Sequence, residues 1–180
     1  MALTASIFKV QLHISDMDRH YYQSHTVTLA QHPSENDLRM MVRLMAFVLN
    51  AHEELSFTKG LSTQDEPDVW HKTLSDEIEL WIELGQLEDK RLRQACGKAK
   101  KVIIYTYNDK QAGPWLTQMQ PHFSRQKSLE VFHINSEASE QLAKLVAKNM
   151  ELQVSIQDGE VFVSSEQGDV TFTPEQRFPA

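Results

Sequence analysis

Residues 78–107 confine this chain to a narrow set of folds. Ile78, Leu80, Ile82 and Leu84 alternate with Glu79, Trp81 and Glu83, a period of two that predicts a strand with one apolar face. Gly85-Gln86 ends it. Glu88-Asp89 then opens a helix whose inner face is Leu92, Ala95, Cys96 and Ala99, and Lys98, Lys100 and Lys101 gather at its far end. Glu88, Asp89 and these three lysines lie where the helix dipole favours them. Val102 to Tyr107 is an apolar, β-rich run and reads as a buried strand. Strand, helix and strand of this length make a βαβ unit with parallel strands and a right-handed crossover. The fold class is therefore α/β or α+β with a mixed sheet.

The flanking segments fit such a sheet. Phe8, Val10, Leu12 and Ile14 alternate with polar residues, Asp16 to His20 breaks the run, and Tyr22 to Leu29 resumes it, which predicts an N-terminal hairpin. Ser34 is the expected N-cap of a helix, with Glu35 and Asp37 in its first turn. Leu38, Met41, Val42, Met45 and Leu49, widened by Leu44, Phe47 and Val48, predict that this helix is largely buried and ends near 51–54. Leu55 to Thr58 and Asp68 to His71 read as short strands. Gly113-Pro114 reads as a turn before a short helix at Trp115 to Met119. Leu129 to Ile134 reads as a strand, and Ser136 to about Lys148 as a helix. Leu152, Val154 and Ile156 are answered across Asp158-Gly159 by Val161 and Val163, a strong hairpin signal, and Val170 to Thr173 adds a strand. No repeat or flexible linker interrupts residues 1–180, so a single domain is expected.

Composition limits the function classes. The net charge is −7 over 180 residues, which opposes tight, sequence-independent binding to nucleic acid. One cysteine, Cys96, allows no internal disulfide, and residues 1–6 show no basic start before a long apolar run. With no stretch of membrane-spanning length, a cytoplasmic location without membrane contact is expected.

The strand alternation also nominates a site. Glu77, Glu79, Trp81 and Glu83 share one face. Asp68 precedes this strand by a tight turn's worth of chain, so antiparallel pairing sets Asp68 beside Glu83. Two converging carboxylates make a hard-oxygen site suited to Mg²⁺ or Mn²⁺, and such an ion polarises a phosphate and activates water. The plainer reading is that a half-buried strand turns its glutamates to solvent. Trp70 and Trp81 are expected on the face of the two acids, as wall packing or as a stacking surface for a base. The eight histidines are scattered, without a zinc spacing, and strand parity turns His71 to the other face. Cys96 is expected to be buried and inert. Arg39, Arg43, Arg91 and Arg93 read as solvated or salt-bridged; Arg43, set within an apolar stretch, is the candidate to touch phosphate.

The runs Glu66-Pro67-Asp68-Val69-Trp70 and Leu80-Trp81-Ile82-Glu83-Leu84-Gly85-Gln86 resemble the YaeQ family of bacterial proteins. So do His32-Pro33-Ser34-Glu35, Gly60-Leu61-Ser62, Tyr105-Thr106-Tyr107-Asn108 and the closing hairpin from Gln153 to Asp158-Gly159. The likeness covers nearly the whole chain. It implies a fold similar to PD-(D/E)xK nucleases: a restriction-endonuclease-like core at roughly 34–134, its mixed sheet flanked by helices, with extra β-hairpins at both ends. Pro67-Asp68 matches the "PD" and Glu83 the "(D/E)", which implies Asp68 and Glu83 as metal-holding catalytic residues for Mg²⁺ or Mn²⁺. The helix from Ser34 to His52 matches the one that in some nucleases supplies a further acid, a part for which Glu53 and Glu54 lie at the helix end. The pattern's lysine is replaced by Gly85. Gln86 is the first substitute to orient water, ahead of Lys90 and Lys101. Two functions follow: a divalent-metal-dependent nuclease or phosphodiesterase acting on nucleic acid, or a non-catalytic module binding nucleic acid or a protein. The missing lysine and the acidic charge weigh against the first.

Overall fold

A computed structural model describes residues 4–180. Its elements run β1 (Ser6–Asp16), β2 (Tyr21–Gln31), α1 (Asp37–Leu49), β3 (Leu55–Phe57), a 3-10 turn (Gly60–Ser62), β4 (Val69–Lys72), β5 (Ile78–Leu84), α2 (Asp89–Lys98), β6 (Val102–Thr106), α3 (Asp109–Phe123), β7 (Leu129–His133), α4 (Ser136–Ala143), β8 (Asn149–Gln157), β9 (Glu160–Ser165), β10 (Gly168–Phe172) and β11 (Glu175–Phe178). They fall into two compact units. One takes the chain through Val42 together with Glu137–Pro174, and the other takes Arg43–Ser136 with Glu175–Ala180. Among the described residues no helix is long and apolar enough to cross a membrane.

The first unit holds a five-stranded mixed sheet in the order β10-β9-β8-β1-β2. The two hairpins read from the sequence join edge to edge, because β1 pairs in parallel with β8 from Lys9↔Asn149 to Asp16↔Ile156. Phe8, Val10, Leu12 and Ile14 are buried together with Leu152, Val154, Ile156, Val161 and Val163. Asp158 and Gly159 both take positive φ, 52° and 79°, as a two-residue hairpin turn requires. The Asp18 carboxylate accepts from both their backbone N–H groups, at 2.8 and 2.9 Å, and so ties one hairpin's turn to the other's.

The second unit holds a six-stranded mixed sheet, β11-β7-β6-β5-β4-β3, in which β5, β6 and β7 are parallel and β4 runs antiparallel to β5. On one face Trp81, Val102, Ile104, Leu129 and Val131 pack with Leu92 and Ala95 of α2 and with Trp115, Leu116, Met119 and Phe123 of α3. The other face meets the C-terminal half of α1: Phe47 stacks on Phe57 at 5.0 Å, and Asn50 donates to the Tyr105 hydroxyl at 2.9 Å.

Three expectations are corrected. The cap of α1 is Asn36, whose side chain accepts from Arg39 N at 2.8 Å, while Ser34 bonds the His32 ring at 2.7 Å. The helix expected at 115–119 runs from Asp109 to Phe123 with Gly113-Pro114 inside it. Asn108 caps it by accepting from Lys110 N and Gln111 N, and the buried stripe Ala112, Trp115, Leu116, Met119 and Phe123 outweighs the hydrogen bond lost at Pro114. The helix begun at Ser136 stops at Ala143 instead of 148, because the pairing of Lys9 with Asn149 fixes where β8 must begin.

Candidate functional site

The site lies wholly within the second unit. The last rung of the β4–β5 ladder pairs Val69 with Ile82, and Asp68 N continues it by donating to Ile82 O at 3.1 Å. The next position sets Asp68 against Glu83. The Asp68 side chain takes over the ladder there, its Oδ2 accepting from Leu84 N at 3.0 Å. The expected antiparallel pairing therefore does bring the two acids side by side. Trp70 and Trp81 stand on the same face, ring centroids 6.4 Å apart and 69° inclined.

Both acids are only 5% exposed. Glu83 Oε1 accepts from Trp81 Nε1 at 2.9 Å and from Arg91 Nε at 2.7 Å. Burial holds the Glu83 carboxyl above its ordinary value; the Arg91 guanidinium and the Trp81 N–H pull the other way, and the charge of Asp68 adds to the rise. Opposed influences of this kind on one buried carboxyl are common at functional sites.

Arg91, read from the sequence as solvated or salt-bridged, is salt-bridged, and its partner is Glu83, which places it in a site for which the sequence did not nominate it. Gly85, at φ 96°, turns the chain out of β5, and α2 starts at Asp89. Leu92 is drawn into the core, and Arg91, one residue earlier, reaches Glu83. It also donates from Nη1 to Gln64 O and from Nη2 to Glu66 O at 2.9 Å, and lies 5.3 Å from the Trp81 ring centroid. A cation in the first turn of a helix opposes the dipole, and here the Glu83 carboxylate compensates. That misplaced charge was the one signal available in the sequence.

The segment ahead of Asp68 is tightly wound. Thr58 Oγ1 donates to Pro67 O and accepts from Gly60 N at 2.8 Å, while Lys59 N donates to Glu66 Oε1 at 3.1 Å. Gly60 sits at φ +47°, where a Cβ would lie 3.5 Å from Asp68 Oδ1.

The other nominated residues are dispersed. Gln86 is half-buried, just past Gly85 where β5 has ended. Arg43 is buried, with its guanidinium 5.4 Å from the Phe57 ring centroid; Phe57 pairs with Val69, on the face away from Glu83. Lys90 is exposed, as are Glu53 and Glu54 beyond the end of α1. Lys101 pairs with Glu130 at 2.8 Å, ahead of β6 and so at the opposite end of the sheet from Glu83. His71 stacks on His52 at 4.3 Å.

A second polar cluster was not foreseen. His133 Nδ1 and Thr106 Oγ1 are 2.7 Å apart, and His133 Nε2 and Asp109 Oδ1 are 2.7 Å apart. Asp109 also accepts from Ser136 N at 3.0 Å. The His133 contact, helped by Ser136, holds the Asp109 carboxyl below its ordinary value. Hydroxyl, imidazole and carboxylate in line suggest a nucleophile, but Thr106 is completely buried and no substrate can approach it. The cluster ties the ends of β6 and β7 to the start of α3.

Cys96 is half-buried, and burial pushes its thiol up to about 11. Alkylation by iodoacetamide at pH 8 is expected to run roughly two hundredfold slower than that of a free cysteine, in proportion to the thiolate present. Labelling at the rate of a model thiol would contradict that burial.

Among the described residues no group of three or more His, Cys, Asp and Glu gathers as a metal site. Asp68 and Glu83 supply hard oxygens of the right chemistry for a divalent cation, but the Arg91 guanidinium already holds Glu83 Oε1. The donor set fits such an ion once that oxygen is released.

The chain matches the family described as YaeQ protein over residues 1–174. It is 37% identical over 170 residues, 94% of each chain, to an uncharacterized protein YaeQ of Escherichia coli, and 39% identical over 164 residues, 91% of each, to that of Salmonella typhi. The crystal structure of YaeQ protein from Xanthomonas axonopodis pv. citri superposes with a TM-score of 0.94 at 42% identity, covering 97% of this chain and 98% of that one. The YaeQ structure from Pseudomonas syringae gives 0.93 at 31% identity, covering 98% and 97%. Match, identity and fold agree over nearly the full length, and the chain belongs to the bacterial YaeQ family.

Proposed function

We propose that the chain is a divalent-metal-dependent phosphodiesterase acting on nucleic acid in the cytoplasm, in the manner of PD-(D/E)xK nucleases. One observation carries the reading: two buried carboxylates, Asp68 just ahead of β4 and Glu83 on β5, stand side by side with a guanidinium beside them. Asp68 and Glu83 would hold Mg²⁺ or Mn²⁺, which when bound supplies Lewis-acid polarisation of the phosphate and a more acidic water. The pattern's lysine offsets charge that builds on the phosphate, and Arg91 offers that positive charge from α2, while the lysine's own position just past β5 holds Gly85. Gln86 would orient water by hydrogen bonding.

Mn²⁺ at roughly ten times its dissociation constant should stabilise the wild type by about 1.4 kcal/mol, a rise in melting temperature of a few degrees. Asp68→Asn and Glu83→Gln should each abolish that rise and also metal-dependent cleavage of single-strand, duplex or structured substrates. Cleavage that survives both substitutions would remove the reading.

A second reading has its own support. Glu83 already has two donors and a counter-charge, so the fold is complete without an ion. A non-catalytic module binding nucleic acid or a protein fits that state. Metal-independent binding of an oligonucleotide with no cleavage would favour it.

A further inference from the structure

We propose that Arg91 is a latch on the site: it holds Glu83 Oε1 as the carboxylate's counter-charge until a phosphodiester draws it away, so that metal and nucleic acid bind cooperatively. The inference rests on the reading of Asp68 and Glu83 as metal ligands, and it concerns how that site is controlled.

The geometry supplies the reasons. Arg91 Nε lies 2.7 Å from Glu83 Oε1, a charge-assisted bond within a pair whose side chains are 22% and 7% exposed. A dication placed on the same oxygen would meet a guanidinium with little intervening solvent, and that repulsion is strong where water is sparse. Guanidinium and metal are thus alternative counter-charges for one carboxylate. Arg91 is also the more exposed partner, and its planar fork matches a phosphate as well as it matches a carboxylate. A phosphodiester arriving over the acids offers it a new anion. Once Arg91 turns to that anion, Glu83 is a buried carboxylate without its counter-charge, which strengthens its demand for a metal ion. By linkage the metal must tighten phosphodiester binding by the same factor. The Trp81 ring, 5.3 Å from the guanidinium, offers a surface on which it can pivot.

The experiment measures Mn²⁺ affinity by electron paramagnetic resonance for the wild type, Arg91→Gln and Arg91→Lys, with and without a non-cleavable phosphorothioate oligonucleotide. Arg91→Lys keeps the positive charge and serves if Arg91→Gln folds poorly. Without oligonucleotide, Arg91→Gln should bind Mn²⁺ at least tenfold more tightly than the wild type, and Arg91→Lys should fall between them. The oligonucleotide should tighten Mn²⁺ binding to the wild type at least tenfold and leave Arg91→Gln within about twofold. Adding Glu83→Gln to Arg91→Gln should remove the gain. Equal Mn²⁺ affinity in all three proteins, unchanged by oligonucleotide, overturns the latch while leaving the metal site standing. No Mn²⁺ bound by any variant, with or without oligonucleotide, overturns the metal site and the latch with it.

Discussion

Replacing Arg91 with leucine should lower the free energy of unfolding at pH 8 by about 3–5 kcal/mol, and the melting temperature by roughly 6–20 °C for a chain of this length. The loss comes from what remains behind. Glu83 stays 5% exposed, beside Asp68, without the guanidinium that offsets its burial. Arg91 itself is partly exposed, so solvent screening places the result at the lower end of that range. Gln64 O and Glu66 O also lose their donor. The double variant Glu83→Met, Arg91→Leu should recover most of the loss, since an apolar pair of similar volume removes the uncompensated charge. The pH dependence has a definite sign. Glu83 is already raised above its ordinary value by burial, and without Arg91 it rises further. A group raised on folding gives its full stability below its unfolded value and loses it as pH climbs through the folded one. The difference between Arg91→Leu and wild type should therefore shrink as pH falls from 8 toward the ordinary glutamate range. Denaturant titrations at pH 5 and pH 8 measure this, and an equal deficit at both would show that Glu83 is not the cause.

The pairing of Asp68 with Glu83 was legible because few quantities decide it. Alternation gives the face of Glu83 and the short connection from β4 to β5 gives the antiparallel direction, while a register shift between His71 and Lys72 sets the rung that places Asp68 against Glu83. The core face of α2 was legible in Leu92 and Ala95, but the contact of Arg91 with Glu83 was not, because it depends on how far Gly85 turns the chain, which is not a property of local pattern. The same limit hid the parallel pairing of β1 with β8, whose partners Lys9 and Asn149 lie at opposite ends of the sequence. Gly113-Pro114 misled for a different reason. Both residues are turn-formers by propensity, and only the distant surface buried by Trp115, Leu116 and Met119 makes a helix there the better solution.

His133→Ala should cost about 3 kcal/mol in denaturant unfolding, second to Arg91→Leu among the substitutions considered. The ring is 3% exposed, so its removal leaves a cavity, and it also ends two contacts of 2.7 Å. The buried Thr106 hydroxyl is left with Phe132 O at 3.4 Å, a poor substitute. Because His133 and Thr106 pair across β6 and β7, the damage should centre where those strands end, and hydrogen exchange should quicken at the start of α3 before it does in α2. Asp109→Asn removes less, about 1 kcal/mol, since that carboxylate is half-exposed and keeps Ser136 as a donor in the wild type. Its sign with pH is the reverse of that for Glu83. The Asp109 carboxyl is lowered by the fold, so its contribution is present above the ordinary aspartate value and is lost as pH falls through the folded one. The gap between wild type and Asp109→Asn should close as the pH falls below the ordinary aspartate range. If His133→Ala proves nearly neutral, the line of hydroxyl, ring and carboxylate does not brace the sheet, and a role in chemistry would have to be sought for it despite the burial of Thr106.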